Sequence, residues 1–324
     1  MFDPRLLVSN RAPFMSLCLV LATVFIGFAV VGPLLGVAVA SAFYDGNLAV
    51  DILNGADQPG YFVAVMVVQG IATFVGLIVF PVLHIMQLEH KPLQPFFPSE
   101  PKLERVLLGV ALLVVAFVIA ISPVVEWNSQ IHFPSFFKQF ETWAREKEEL
   151  ATKLTESLTQ FKSVGDLLIA LLVIAVLAGI GEELVFRGMI QRELWRATNN
   201  VHVAIWASAF LFSAIHVQFF GFIPRLLLGA LFGYLYYWSN NLLVPIFAHF
   251  FNNGFGVVAA YLNQQNITEL NVEDNTSAPW PFVATALVAT VGLLYFFWKH
   301  YHDNPPVIED FYSPSAQHDG EPLV

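Results

Sequence analysis

The chain has 324 residues, of which 56% are hydrophobic and 12% charged, and its formal net charge is −10. A single soluble core cannot bury that many apolar side chains, 31 Phe among them, so lipid must cover many of them. The acidic balance argues against a nucleic-acid partner. A polytopic membrane protein is therefore expected.

Eight apolar stretches are long enough to be membrane-spanning helices, since about 20 residues cross a bilayer. In lipid the backbone must satisfy its own hydrogen bonds, so stretches of this length are expected to be helical and the fold class all-α. They run roughly over 14–43, 60–87, 105–124, 165–186, 201–222, 224–239, 242–262 and 280–298.

The first stretch predicts an uncleaved helix, because its apolar run exceeds the about 7–15 residues of a signal peptide. It contains Cys18, the one cysteine of the chain, so neither an intrachain disulfide nor a cysteine metal cluster is expected. No internal repeat is apparent.

The segment between the third and fourth predicted spans is charged and amphipathic. Its apolar residues recur at steps of three, four and seven, which is typical of one stripe on a helix. We expect this helix to lie along the membrane interface. A helix packed on extramembrane loops is the alternative, and a role as a lid is a hypothesis. The stripe consists of Phe136, Phe140, Trp143, Leu150, Leu154, Leu158 and Phe161.

Four regions follow from this organisation. Residues 1–164 contain three spans and the amphipathic segment, and 165–262 form the predicted catalytic core. An acidic loop and the last span occupy 263–302. The tail 303–324 is rich in acids and proline, which favours disorder.

The distribution of Lys and Arg predicts that both termini are cytoplasmic. The loops at 44–59 and 263–279 contain neither residue, whereas 88–105 and 187–200 contain three each. Segment 125–164 is the exception, because it is predicted outside yet carries five basic residues interspersed with five glutamates.

Two adjacent carboxylates, Glu182 and Glu183, follow the apolar run that begins at Leu171. Glu183 and Arg187 are four residues apart, within reach of a helical ion pair. Glu182 points elsewhere on the helix and is free to act as a general base. The alternative is that both acids only mark the cytoplasmic end of the fourth span.

Two histidines on later spans can reach the same point. If the chain reverses at 198–200, His216 and Glu182 lie at similar heights, each about 25 Å from the turn. His249 lies about 10 Å from a second turn at 239–241, and Asn253 projects from the same face one helical turn later. Ionisable groups at such depth are candidates for function.

These residues carry a family resemblance. The motifs are Glu182-Glu183-x-x-x-Arg187, then Phe212-x-x-x-His216, then His249-x-x-x-Asn253. In this order they resemble the signature of the CAAX prenyl endopeptidase and bacteriocin-processing family, also called the CPBP or Abi family. The resemblance covers roughly 165–262, and the segments on either side carry none of its motifs.

The resemblance implies an intramembrane endopeptidase for a membrane-embedded, hydrophobic or lipidated peptide. By analogy Glu182 activates water, His216 holds or polarises it, and His249 with Asn253 stabilises the oxyanion. Glu183 and Arg187 support them. No cofactor is expected, with catalytic zinc as the second option. A bacterial inner membrane is the expected location.

Two other function classes remain open. A non-catalytic scaffold or bacteriocin-immunity factor would keep the polar cluster for binding. A transporter or proton pathway would use buried Glu and His, but it would typically show internal repeats or broken helices in matching halves.

Overall fold

The computed structural model describes residues 11–54, 60–100, 102–269 and 274–304. Within these ranges every long element is a helix, which confirms the all-α prediction. The helices are α1 Pro13–Ala40, α2 Leu48–Asn54, α3 Tyr61–Leu88, α4 Leu103–Ala120, α5 Ser122–Ser129, α6 Lys138–Leu158, α7 Val164–Thr198, α8 Val201–Ala214, α9 Phe222–Ser239, α10 Leu243–Gln264 and α11 Trp280–Asp303.

Six of these helices, α1, α3, α4, α7, α10 and α11, are long and apolar enough to cross a membrane. The chain is therefore a multi-pass membrane protein, but the predicted count of eight spans is not confirmed. The fifth predicted span, 201–222, is shorter than expected, because α8 ends at Ala214. The sixth corresponds to α9, which carries Arg225 in its first turn.

The reversal predicted at 198–200 is confirmed, and local chemistry explains it. Asn199 adopts the left-handed conformation (φ 51°) that ends α7. The Asn200 side chain then accepts hydrogen bonds from the backbone N–H groups of His202 and Val203, at 3.0 and 3.2 Å, which caps the start of α8. Asn240 (φ 48°) ends α9 in the same way, at the second predicted turn.

Helix α7 is much longer than its predicted span of 165–186. It continues for 15 residues beyond Glu183, so the two adjacent carboxylates lie inside the helix and do not mark its end. Wider turns of π-helical geometry occupy Leu171–Leu177 and Leu184–Ile190 on either side of them. Such turns occur frequently at functional sites.

Small residues allow the helices around α7 to approach closely. A Cβ at Gly229 of α9 would lie 3.1 Å from the Phe212 ring and 3.2 Å from the Ala209 Cβ of α8. The same approach brings the Gly229 carbonyl to Arg187 of α7. Close contact between α7, α8 and α9 is therefore built into the small residues of α9.

Helix α6 confirms the amphipathic helix predicted between the third and fourth spans. Much of its apolar stripe is exposed, with Phe136 78% and Leu150 56% accessible, as expected of a helix at a membrane surface. Two residues of the stripe make contacts with other segments: Phe140 contacts Phe219, and Phe161 is buried against Tyr261. The predicted disordered tail lies, from residue 305 onward, outside the described residues.

Candidate active site

A cavity of about 920 Å³ brings together all four residues predicted to be catalytic. Glu182 of α7, His249 and Asn253 of α10, and His216 of the α8–α9 loop line it. Helix α6 forms part of the opposite wall. The C-terminal end of α4 and the first turn of α9 also line the cavity. The cavity therefore lies between the middle of α7 and those ends of α4 and α9 that are far from the turn at 198–200.

The predicted ion pair between Glu183 and Arg187 is confirmed. Arg187 Nη1 donates to Glu183 Oε1 at 2.8 Å, and both side chains are almost completely buried. Arg187 Nη2 donates to the Gly229 carbonyl at 2.7 Å. The guanidinium also lies 5.0 and 5.5 Å from the ring centroids of Phe212 and Phe232, within cation–π range. The pair thus ties α7 to α9.

Glu183 also orients His249. Its Oε1 lies 2.8 Å from His249 Nδ1, and because a carboxylate paired with a guanidinium can only accept, Nδ1 carries the proton and donates. Phe232 stacks on the imidazole at 5.3 Å. The ring is fixed by these contacts, and its Nε2 lies 3.8 Å from Glu182 Oε2.

His216 does not lie on a helix, which corrects the sequence prediction. Helix α8 ends at Ala214, and His216 lies in the turn that follows. Its Nδ1 is 2.8 Å from the Phe212 carbonyl, which can only accept, so this nitrogen is the protonated one. Val217 has a positive φ of 53°, a strained conformation for a β-branched residue, next to the histidine.

Asn253 has two partners already. Its Nδ2 donates to the Ile174 carbonyl of α7 at 3.0 Å, and its Oδ1 accepts from Asn252 Nδ2 at 3.2 Å. The Ile174 carbonyl lies within the wider turn 171–177. One amide hydrogen of Asn253 therefore links α10 to α7, and the second is left for another acceptor.

Several cavity residues were missed by the sequence reasoning. Asn252 and Arg225 line the cavity, as do Arg145 and Glu148 of α6. Burial raises the pKa of Glu148, whose Oε2 accepts from the Phe220 backbone N–H at 3.2 Å. The adjacency of Asn252 to Asn253 was a usable signal, whereas no local pattern reveals that α6 folds back over the site.

Comparisons with known proteins agree with the motif resemblance. Residues 164–255 match the family described as type II CAAX prenyl endopeptidase Rce1-like. The chain is 31% identical over 108 residues to the membrane-embedded CAAX protease MroQ of Staphylococcus aureus (strain USA300), covering 32% of this chain and 43% of that protein. It is also 31% identical over 81 residues to YpbD of Bacillus subtilis (strain 168), covering 24% of this chain and 38% of the relative.

The chain spans less than half the length of either curated relative. No solved structure matches it significantly. The matched segment nevertheless contains every motif of the site, from Glu182 to Asn253. Residues 164–255, which contain the site, are therefore similar to the type II CAAX prenyl endopeptidase Rce1-like family.

Proposed function

We propose that the protein is an intramembrane endopeptidase that uses Glu182 to activate water against a peptide bond. The observation that carries this proposal is the convergence of one carboxylate and two oriented histidines on one cavity within the membrane-spanning bundle. Ionisable groups are costly in this environment and are retained for function. Each of the three has a defined task in hydrolysis.

Glu182 is the general base in this proposal. Its side chain is 18% exposed, toward the cavity, and forms no hydrogen bond with the described residues that would occupy it. The 3.8 Å between its Oε2 and His249 Nε2 is too long for a direct hydrogen bond, so the carboxylate is available to a water in the cavity. Glu182 takes a proton from that water and later transfers it to the leaving amide nitrogen.

His216 is suited to hold the water as a hydrogen-bond acceptor. Because Nδ1–H is committed to the Phe212 carbonyl, Nε2 of the neutral ring presents a lone pair. A water that donates one hydrogen to His216 and the other to Glu182 is oriented with its oxygen lone pair toward a bound carbonyl. This supports the water-polarising role that the resemblance implies.

His249 can stabilise an oxyanion only as an imidazolium. Its Nδ1–H donates to Glu183, so Nε2 must acquire a second proton before it can donate to the substrate oxygen. The buried Glu183 carboxylate compensates that positive charge, as the acidic member of a catalytic triad does. The second amide hydrogen of Asn253 is the other candidate donor for the oxyanion.

A zinc-dependent mechanism receives no support from the arrangement of the donors. Among the described residues, no group of three His, Cys, Asp or Glu side chains is placed to hold a metal ion. Zinc sites need three or four such ligands at about 2.0–2.3 Å from one centre. We propose the glutamate mechanism as the first option and keep catalytic zinc as the second.

The decisive experiment is cleavage of membrane-anchored peptides by the purified protein in vesicles. Glu182→Gln should lower kcat by about 10²-fold to about 10⁴-fold, the usual contribution of a general base. Glu104→Gln replaces an exposed glutamate at the start of α4 and serves as the matched control with unchanged activity. Full activity of Glu182→Gln would contradict the proposal, and activity that a chelator removes and zinc restores would replace it with a metalloprotease.

The second candidate is a non-catalytic scaffold or immunity factor. What favours it is the internal pairing of Asn253 and Glu183, which gives the polar cluster a structural role as well. This candidate predicts that Glu182→Gln retains biological function in cells, whereas the peptidase predicts its loss.

Since both relatives named above are bacterial, we propose that the protein lies in a bacterial inner membrane. We propose a membrane-embedded or lipidated peptide as its substrate.

A further inference from the structure

Among the described residues that line the cavity, Arg225 is a cation that forms no ion pair and that the proposed chemistry does not use. Arg225, in the first turn of α9, lines the same cavity as Glu182, His216 and His249. Its Nη2 donates to Gln218 Oε1 at 2.8 Å, but its Nη1 is buried and has no hydrogen-bond partner in the described part of the chain. A partly buried guanidinium that lacks an anionic partner is costly, so its presence needs a reason.

Two acidic side chains lie near Arg225 but do not pair with it. Glu148 and Glu182 attract it electrostatically, but neither forms an ion pair with it. Glu148 accepts from the Phe220 backbone, and Glu182 faces His249.

Two other cations that line the cavity, unlike Arg225, form ion pairs. Arg145 pairs with Glu141, and Lys153 pairs with Glu149, each at 2.7 Å. Gly221 lies beside the guanidinium, since a Cβ at that position would lie 3.3 Å from Arg225 Nη2.

We propose that Arg225 binds a carboxylate of the substrate peptide and so determines which peptides are cleaved. The proposal rests on the peptidase function proposed above. A guanidinium presents parallel N–H donors that match the two oxygens of a carboxylate. That carboxylate is either the free C-terminus of the peptide or an Asp or Glu side chain near the scissile bond.

The test compares peptides that differ only in this group. One series ends in a free carboxylate or an amide, and the other carries Asp or Asn at each position flanking the cleaved bond. The wild type should show a KM about 10-fold to about 100-fold lower for one acidic member than for its neutral analogue, the range expected for a charge-assisted hydrogen bond. Which series shows the difference identifies the source of the carboxylate.

Variants of Arg225 should remove the discrimination and spare the chemistry. Arg225→Gln should raise KM for the acidic peptide to that of its neutral analogue, and Arg225→Lys should retain part of the preference. Gln218→Ala is the matched control, because it removes the same loop contact but keeps the guanidinium, and it should retain the preference. An equal fall in kcat for both peptides in Arg225→Gln would instead identify a residue that positions the loop, and would overturn the proposal.

Peptide binding to the Glu182→Gln variant tests the inference without requiring cleavage and without requiring that an Arg225 variant folds. The acidic peptide should compete for this variant about 10-fold better than the neutral one. If the acidic peptide binds better but the wild type cleaves no peptide, the carboxylate site is supported and the peptidase function is contradicted. Equal competition, or a preference that depends on phosphatidylglycerol in the vesicles and not on the peptide, would overturn the inference.

Discussion

At the scale of single residues, Glu183 links stability to chemistry. One of its oxygens binds both the Arg187 guanidinium and His249 Nδ1 at 2.8 Å, in a fully buried position. Removing one partner of a buried ion pair leaves an uncompensated charge, whereas replacing both with apolar residues is often tolerated. Glu183 therefore offers a way to separate its two effects.

We expect Glu183→Gln to lower the free energy of unfolding by about 3–5 kcal/mol, because Arg187 keeps a buried charge without a counterion. The double variant Glu183→Leu with Arg187→Met should recover most of that loss. Peptide cleavage should be abolished in both, since His249 loses the carboxylate that accepts from its Nδ1 and compensates its positive charge. Denaturation in detergent and cleavage assays measure the two quantities, and near wild-type cleavage by the double variant would show that Glu183 does not position His249.

At the scale of elements, α1 and α3 approach each other at a point where no side chain fits. A Cβ at Gly76 of α3 would lie 2.3 Å from the Phe28 Cα of α1. The obstruction is backbone, which cannot move aside as a flexible side chain does. Gly76→Ala should therefore destabilise the protein by about 1–3 kcal/mol, the usual cost of overpacking. Gly292→Ala, with nothing within 4 Å of its Cβ, is the control that should not lower the melting temperature.

Docking of α6 over the cavity should depend on pH. Burial raises the pKa of Glu148 above its ordinary value of 4.5, although the Phe220 N–H and Arg225 favour the charged form. The docked helix therefore binds the proton more tightly than the undocked one, so docking is strongest below pH 4.5 and weakens as pH rises through the raised pKa.

A nitroxide on Thr152→Cys, in a Cys18→Ala background, reports this change as increasing mobility with rising pH. Thr152 lies on α6 and lines the cavity, so the label senses the docked helix directly. Glu148→Gln should dock with no pH dependence in that range, because the amide does not titrate. The same pH profile in both proteins would assign the effect to another group.

The sequence predicted those parts of the site that depend on local spacing. The Glu183–Arg187 pair follows from a separation of four residues, and the turn before α8 follows from Asn199 and Asn200. The end of α8 before His216 and the docking of α6 near Glu148 depend on contacts between distant segments, such as Phe140 with Phe219. Hydrophobic periodicity contains no information about such contacts, so the fifth span was overextended and Arg225 was overlooked.

At the scale of the whole molecule, the cavity and the basic turns lie at opposite ends of the bundle. The α7–α8 turn follows Arg192 and Arg196, and α4 begins beside Lys102, whereas α6 and the first turn of α9 border the cavity at the other end. If the basic end is cytoplasmic, as the distribution of Lys and Arg predicts, the cavity opens away from the cytoplasm. Substrates would then reach Glu182 from the outer side.

Two exposed glutamates at opposite ends of the bundle test this orientation in intact cells. Glu146 lies on α6 and Glu104 at the start of α4, and both side chains are exposed. In a Cys18→Ala background, a membrane-impermeant maleimide should label Glu146→Cys but label Glu104→Cys only after the membrane is permeabilised. Labelling in the reverse order would place the cavity on the cytoplasmic side. Short basic loops near the spans usually determine the orientation of a membrane protein. The reverse order would mean that the five basic residues of 125–164 determine it here instead.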